Sequence, residues 1–457
     1  MKRIIKNSFY DFKRLLRLIL CLSFLFALSA CGEVTVQEST TSDVCTADCS
    51  PSNTLCVDDT SGSTQEYSTI QAAVNAAQAG DTVLVCAGTY TENLDWPDTK
   101  DNITVKPSGS NFVTIQPADN TAATIIISGD IQGVTFDGLQ AGLNSQMLIV
   151  GASIPPSNDG QAFRLNRTSL PALSGITLKN LRIQGTSTAS RPMINSQPGT
   201  DGYVDDLRIE NNYIYGNFSR AVELQGTNTG SGTATWRASI TGNIIDVSNA
   251  LYSGPEWSRW DYVFVDSNYI YNTGTSVSYL IQARNSQNSK IQNNVLDNRT
   301  GASASAMIIV RGGMGDSAPP NQSSNNTIIN NTFDQNGSLD NNGAIILTDV
   351  SSNNTVRNNL FIGTYSPQVL GNITGSSGSG NSFDNNRSVA SVTWNSSAWT
   401  DAGSNTSGST NYNVNGSKPS PYYDLTASYN GSATDAPTDD YDGIARASPP
   451  DIGAFEY

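Results

Sequence analysis

Between residues 209 and 361 the chain repeats a six-position pattern, apolar-x-x-Asn-x-apolar. It stands at Ile209/Asn212/Ile214, Ile240/Asn243/Ile245, Val265/Asn268/Ile270, Ile291/Asn294/Leu296, Ile328/Asn331/Phe333 and Val356/Asn359/Phe361, with a weaker Asp copy at Val134/Asp137/Leu139. The Asn-to-Asn steps are 31, 25, 26, 37 and 28 residues. A fixed element returning at this spacing predicts a solenoid whose loops absorb the differences. One coil cannot bury its own apolar face, so coils must stack. Asn tolerates the left-handed backbone of a tight corner, and stacked amides can hydrogen-bond as a ladder. The repeated Asn residues therefore read as scaffold. A second apolar run follows each corner: Ala221–Gln225, Tyr279–Arg284, Met307–Arg311 and Ala344–Asp349. Their polar ends place Gln225, Arg284, Arg311 and Asp349 at similar stations.

Upstream, Ser68–Gly80 predicts a short amphipathic helix. Ser68 and Gln71 form a capping box, Ile70, Ala73, Val74 and Ala77 make one apolar face, and Gly80 stops it. The Gly80-Asp81 turn leads into a buried strand, Val83–Val85. Such a helix would cover one open edge of the stack, and residues after about 390 should cover the other.

Composition agrees with a turn-dense, mostly β chain. Of 457 residues, 47 are Asn, 32 Asp and 39 Gly, against 8 Glu; these abundant types favour turns over helix interiors. With 37% hydrophobic and 14% charged residues the chain is not of the charge-rich disordered kind. It has no His, which excludes Ser-His-Asp and Cys-His nucleophiles, imidazole bases and His-ligated metals.

The first 30 residues read as a targeting segment. Lys2, Arg3, Lys6, Lys13, Arg14 and Arg17 form a basic region before the apolar run Leu18–Leu28, too short to span a bilayer. The run ends in Leu28-Ser29-Ala30-Cys31, which resembles the bacterial lipobox. That resemblance implies cleavage before Cys31, acylation of Cys31 and, with Gly32 next, the outer membrane. Without residues 1–30 the charge is 19 − 39 = −20. Such a protein would be repelled by nucleic acid and would attract calcium. Cys45, Cys49, Cys56 and Cys86 would then lie in an oxidising compartment and form two disulfides, with three possible pairings. Cys56–Cys86 is favoured, because both lie in strand-like runs flanking one helix; Cys45–Cys49 would be a local clip. The organisation read from the sequence is a signal peptide at 1–30, a tether at 31–54, the solenoid at 55–390 and a C-terminal cap at 391–457.

The stretch Tyr67–Tyr90, "YSTIQAAVNAAQAGDTVLVCAGTY", resembles the amino-terminal cap of right-handed parallel β-helix proteins, the pectin-lyase-like fold. The resemblance implies an all-β, right-handed parallel β-helix with a capping helix, and no particular activity. The C-terminal "TDDYDGIARASPPDIGAFEY" resembles the choice-of-anchor Q segment of bacterial surface β-helix proteins, through Asp440, Asp442, Gly443, Arg446 and Asp451–Glu456.

Enzymes of this fold bind polysaccharide along one parallel sheet. Arg284 and Arg311, one coil apart, suit a uronate carboxylate, which Arg grips bidentately. The segment Tyr279–Asn298 is similar to the coil that bears a Lys in some alginate- and chondroitin-type lyases, with Arg284 in the Lys position. Their calcium-binding acidic pair and Arg-His motif are missing here. Free Arg is also a poor base. Hydrolysis would need two nearby carboxylates, and Glu223 and Asp349 are several coils apart, so they count as candidate ligand-binding residues instead. The stretch Ser253–Asp261 carries Trp257, Arg259 and Trp260, a candidate sugar-stacking platform. Asp440 and Asp442 are candidate calcium ligands; no other cofactor is called for. Two functions stay open. One is an outer-membrane lipoprotein, read as a monomer, that binds an acidic polysaccharide or other surface glycan, with lyase-type cleavage undecided. The other is a non-catalytic adhesin or surface spacer.

Overall fold

The computed structural model describes residues 51–455, except 61–66, 110–111, 156–158, 168–172, 188–190, 199–203, 227–236, 275, 300, 313–321, 340–342, 349, 364, 366–368, 373–377, 395–398, 408–411, 416–421 and 426–428. Cys31, the tether to residue 50, Cys45 and Cys49 lie outside these residues, as does Asp349.

The chain is a right-handed parallel β-helix. Thirteen described strands, from Thr54–Val57 to Thr400–Gly403, pair in chain order as sheet 1. Sheet 2 follows it in each coil; examples are Arg182–Thr186, Ile244–Asp246, Tyr269–Asn272, Val295–Asn298, Thr332–Gln335 and Leu360–Gly363. Sheet 3 includes Phe163–Arg167, Ile194–Pro198, Ala250–Ser258, Val277–Arg284, Ser303–Arg311 and Ile345–Thr348. The long strand Tyr213–Gln225 runs from sheet 2 into sheet 3.

The core is built from columns of in-register apolar side chains. Ile209, Ile240, Val265, Ile291, Ile328, Val356 and Phe383 line up on sheet 1, all buried. On sheet 2, Phe333 and Phe361 stack at 4.6 Å. Each step of such a column contributes about 1.5–3 kcal/mol of apolar burial per side chain.

The Asn ladder forms as the repeat predicts. Oδ1 of Asn243 accepts both the backbone N–H and Nδ2 of Asn212, at 2.9 and 3.0 Å. The same double bond repeats through Asn268, Asn294, Asn331 and Asn359, and continues to Asn386 and Asn405. The left-handed corner, however, is the residue before each ladder Asn. Asn211, Ser267, Asn293, Asn330, Asn358 and Asn385 have φ of 52–57°, and Gly242 takes the place at 65°.

The helix Ile70–Ala76 packs against the first coils and buries Ile70, Ala73 and Val74. Its cap is Thr69, not Ser68: Oγ1 of Thr69 accepts from Ala72 at 3.2 Å. The Glu92 carboxylate accepts the N–H groups of Ile70 and Gln71. Cys56 and Cys86 are buried and disulfide-bonded. Their bridging to one another is disfavoured by register. Cys56 faces Leu84, so Cys86 lies one diagonal step away, roughly 8 Å between Cα atoms in regular strands, beyond the ~7 Å a disulfide allows.

The C-terminal segment, residues 429–455, packs along the corner between sheets 1 and 2. The left-handed Asn side chains hold it. Nδ2 of Asn293, Asn330 and Asn358 donates to the carbonyls of Asp439, Asp451 and Ser432 at 2.9, 2.8 and 2.7 Å. Ile452, Ala454 and Phe455 bury themselves against Tyr269, Val295, Leu360 and Ile362 of sheet 2. Arg446 ties Asn293 Oδ1 to the Gly453 carbonyl at 3.0 and 2.9 Å.

Candidate functional site

The side chains of a strand alternate between the two faces of its sheet. On sheet 3, Leu224, Trp257, Ala283 and Val310 point into the core. The alternate row on the other face is Asn195, Glu223, Glu256, Gln282, Ile309 and Ile346, in register on six successive strands and all buried. Two positions further along each strand, Gln225, Ser258, Arg284, Arg311 and Thr348 form a second column. The expected stations of Gln225, Arg284 and Arg311 therefore coincide. The fourth does not: Thr348, not Asp349, is the partner of Arg311, and Asp349 lies outside the described residues.

The charged centre of this face is Glu256, with a side chain only 2% exposed. Arg220 Nε meets its Oε2 at 2.5 Å and Arg284 Nη1 its Oε1 at 2.8 Å. Glu223, one coil earlier and directly beside it, takes Gln225 Nε2 at 2.9 Å and Asn195 Nδ2 at 3.3 Å. Arg220 also lies 3.5 Å from Glu223 and stacks over the Tyr252 ring. Burial pushes the Glu223 carboxyl up; Arg220 and the Gln225 bond pull it down, and Glu256 adds to the rise. Two glutamates and two arginines balance, and Arg311 stands in register with Arg284 on the next strand.

Glu256 carries no motif, and it sits inside Ser253–Asp261, the stretch expected to be a sugar-stacking platform. Those residues belong mostly to the strand Ala250–Ser258. The same fact corrects the expected sugar platform. Trp257 is fully buried, with Nε1 donating to Ser286 Oγ at 2.8 Å, and Trp260 is 3% exposed. Neither indole face is open to a sugar. Arg259 takes a left-handed turn at φ 53° and donates its N–H to the Arg284 carbonyl.

Of the candidate calcium ligands, Asp440 is buried, and its Oδ1 accepts the N–H groups of Asp442 and Ile444 at 2.9 and 2.8 Å. The carboxylate holds its own turn. Among the described residues no group of three or more Asp, Glu, His or Cys converges on a metal position. None of the described helices is long and apolar enough to cross a membrane.

No family model and no curated protein matches the chain. Among solved structures, it is similar to XylC in complex with xylose at 12% identity and a TM-score of 0.40, covering 73% of this chain and 75% of the other. It is similar to a PL6 family polysaccharide lyase from Pseudopedobacter saltans at 13% and 0.37, covering 88% and 99%. It is also similar to the PL6 family alginate lyase AlyGC at 14% and 0.38, covering 84% and 56%.

Proposed function

We propose that this is a lipid-anchored protein of the outer membrane that binds an acidic polysaccharide across the outer face of sheet 3, at Arg284 and Arg311. The observation that carries the reading is the register of the two arginines on adjacent strands, both half-buried. Strand spacing sets their stations about 5 Å apart, which lets two guanidinium groups meet the carboxylates of one glycan chain. An acidic protein of charge −15 as translated needs such a basic island to admit an anionic ligand. Glu256 holds Arg284 in orientation.

A second reading, binding without cleavage, is favoured by one distance. β-Elimination needs a base beside the neutralised carboxylate. Glu223 has the raised proton affinity a base would use, but it stands two coils from Arg284, roughly 10 Å by strand spacing.

The test is calorimetry of the mature protein with alginate, pectate and a neutral glucan. Binding of an acidic chain that weakens with salt and is lost in Arg284→Ala/Arg311→Ala is the expected result. Binding untouched by the double substitution sinks the placement, and no binding to any glycan leaves the spacer reading. Ultraviolet absorbance of an unsaturated product separates cleavage from binding.

A further inference from the structure

On the opposite flank, where the C-terminal segment meets the corner of sheets 1 and 2, lies a polar cleft of about 240 Å³. Asp266, Gln292 and Asn293 line it from two successive coils, and Thr438, Asp439 and Asp440 line it from the C-terminal segment. Asp266 and Gln292 are in-register partners. Gln292 is 6% exposed, yet no donor among the described residues reaches its Oε1, nor Oδ1 of Asp266; both oxygens are buried. The Asp266 carboxylate draws on Gln292, Ser267 and Asn293, but these two buried oxygens have no donor of their own, and facing a wall that carries a further carboxylate they cost free energy unless something electropositive meets them.

We propose that this cleft is a divalent-cation site of calcium type, with Asp266 and Gln292 Oε1 as the solenoid ligands and Asp439 as the ligand from the C-terminal segment. The donor set is all oxygen, as a hard cation requires. Asp440 is not needed, since its carboxylate is engaged in its own turn. Asn293 Nδ2 holds the Asp439 carbonyl at 2.9 Å and so fixes this residue at the rim. Two basic groups lie near. Lys290 Nζ donates to the Asp435 carbonyl at 3.1 Å while its charge also acts on Asp266, and Arg446 donates to Asn293 Oδ1 at 3.0 Å; neither lines the cleft. With two carboxylates and an amide, water must complete the coordination. The affinity then belongs to the weak extracellular class, on the order of 10⁻⁴–10⁻³ M. Because its ligands come from both the solenoid and the C-terminal segment, the ion would fasten one to the other.

The experiment is calcium titration of the mature protein by calorimetry, with limited proteolysis of the C-terminal segment as a second readout. The expected result is one calcium per chain, binding weakened at least tenfold by Asp266→Asn and by Gln292→Met, and slower cleavage of the segment with calcium present. Asp266→Asn keeps shape and volume; its melt without calcium checks that it folds. No calcium binding to the unsubstituted protein at millimolar concentration overturns the proposal. So does binding that both substitutions leave intact, or a neutral sugar that binds here in place of the ion. Uronan binding at Arg284 and Arg311 is independent of these outcomes.

Discussion

Arg284 Nη1 donates to Glu256 Oε1 at 2.8 Å, reaching back one coil to a carboxylate that Arg220 holds from the other side. Glu256 is thus the shared anion of two cations on the face where the glycan is proposed to lie. Glu256→Gln keeps the volume and removes the charge. It should destabilise the fold by about 3 kcal/mol, since both guanidinium groups lose a buried partner. It should also loosen Arg284 and leave the face more positive, so uronan binding should become more salt-dependent. A melting temperature equal to that of the unsubstituted protein would show that the pairs contribute nothing.

Trp257→Ala separates packing from sugar contact. The indole fills the core beneath sheet 3 and bonds Ser286. Its loss should cost about 3–5 kcal/mol. Neutral-glycan binding measured well below the lowered melting temperature should not change. A stable variant that loses sugar binding would return the tryptophan to the surface role.

Adjacent Asn residues divide the labour at each corner. Asn294 accepts two bonds from Asn268 and donates to Val265 O, Gln292 O and Asn331 Oδ1. Asn294→Leu should therefore cost about 3 kcal/mol or more, leaving several buried groups unpaired. Asn330 has φ 54° and holds Asp451 O. Asn330→Gly keeps the left-handed turn, so it should barely lower the melting temperature but should speed proteolysis at the C-terminal segment. Equal melting losses in the two variants would refute this division.

The anchor prediction rests on the Leu28–Cys31 motif alone. Cys31→Ala should abolish labelling by a palmitate analogue and leave the precursor uncleaved or the protein released from membranes. Label retained in the variant ends the lipoprotein reading.

The scaffold was legible because each coil restates it: the same residue type at the same phase, with apolar neighbours on a fixed period. The corner was misplaced by one residue because pairs such as Asn293-Asn294 and Asn358-Asn359 offer two equivalent candidates, and only backbone geometry separates them. Glu256 and Trp257 escaped for a different reason. Gly254 and Pro255 look like loop punctuation, while the strand that contains them is fixed by pairing to Leu224 and Ala283, partners 33 and 26 residues away. Long-range register also decides between Thr348 and Asp349, where a shift of one residue reverses the face a side chain occupies.

Asp334 gives the fold a pH dependence whose sign can be worked out. It lies in register beside Asp297, which is held by Tyr269 at 2.7 Å and by Arg299 at 2.8 Å. Burial first, and then the Asp297 charge, push the Asp334 carboxyl up to about 7 from an ordinary 3.8, against an Asn336 bond and the Arg299 charge that lower it. The folded chain thus holds this proton more tightly than the unfolded chain. The group's contribution is fully present below the ordinary value and is lost as pH rises through about 7. Asp334→Asn imitates the protonated form and cannot ionise. Near pH 4 the two proteins should melt alike. Above pH 7 the variant should be the more stable, by on the order of 1–4 kcal/mol, and the gap should open across the interval between. Melting curves of both proteins at steps from pH 4 to 8 check this. A difference that stays constant with pH would mean that Asp334 is ionised throughout, its charge met by Arg299.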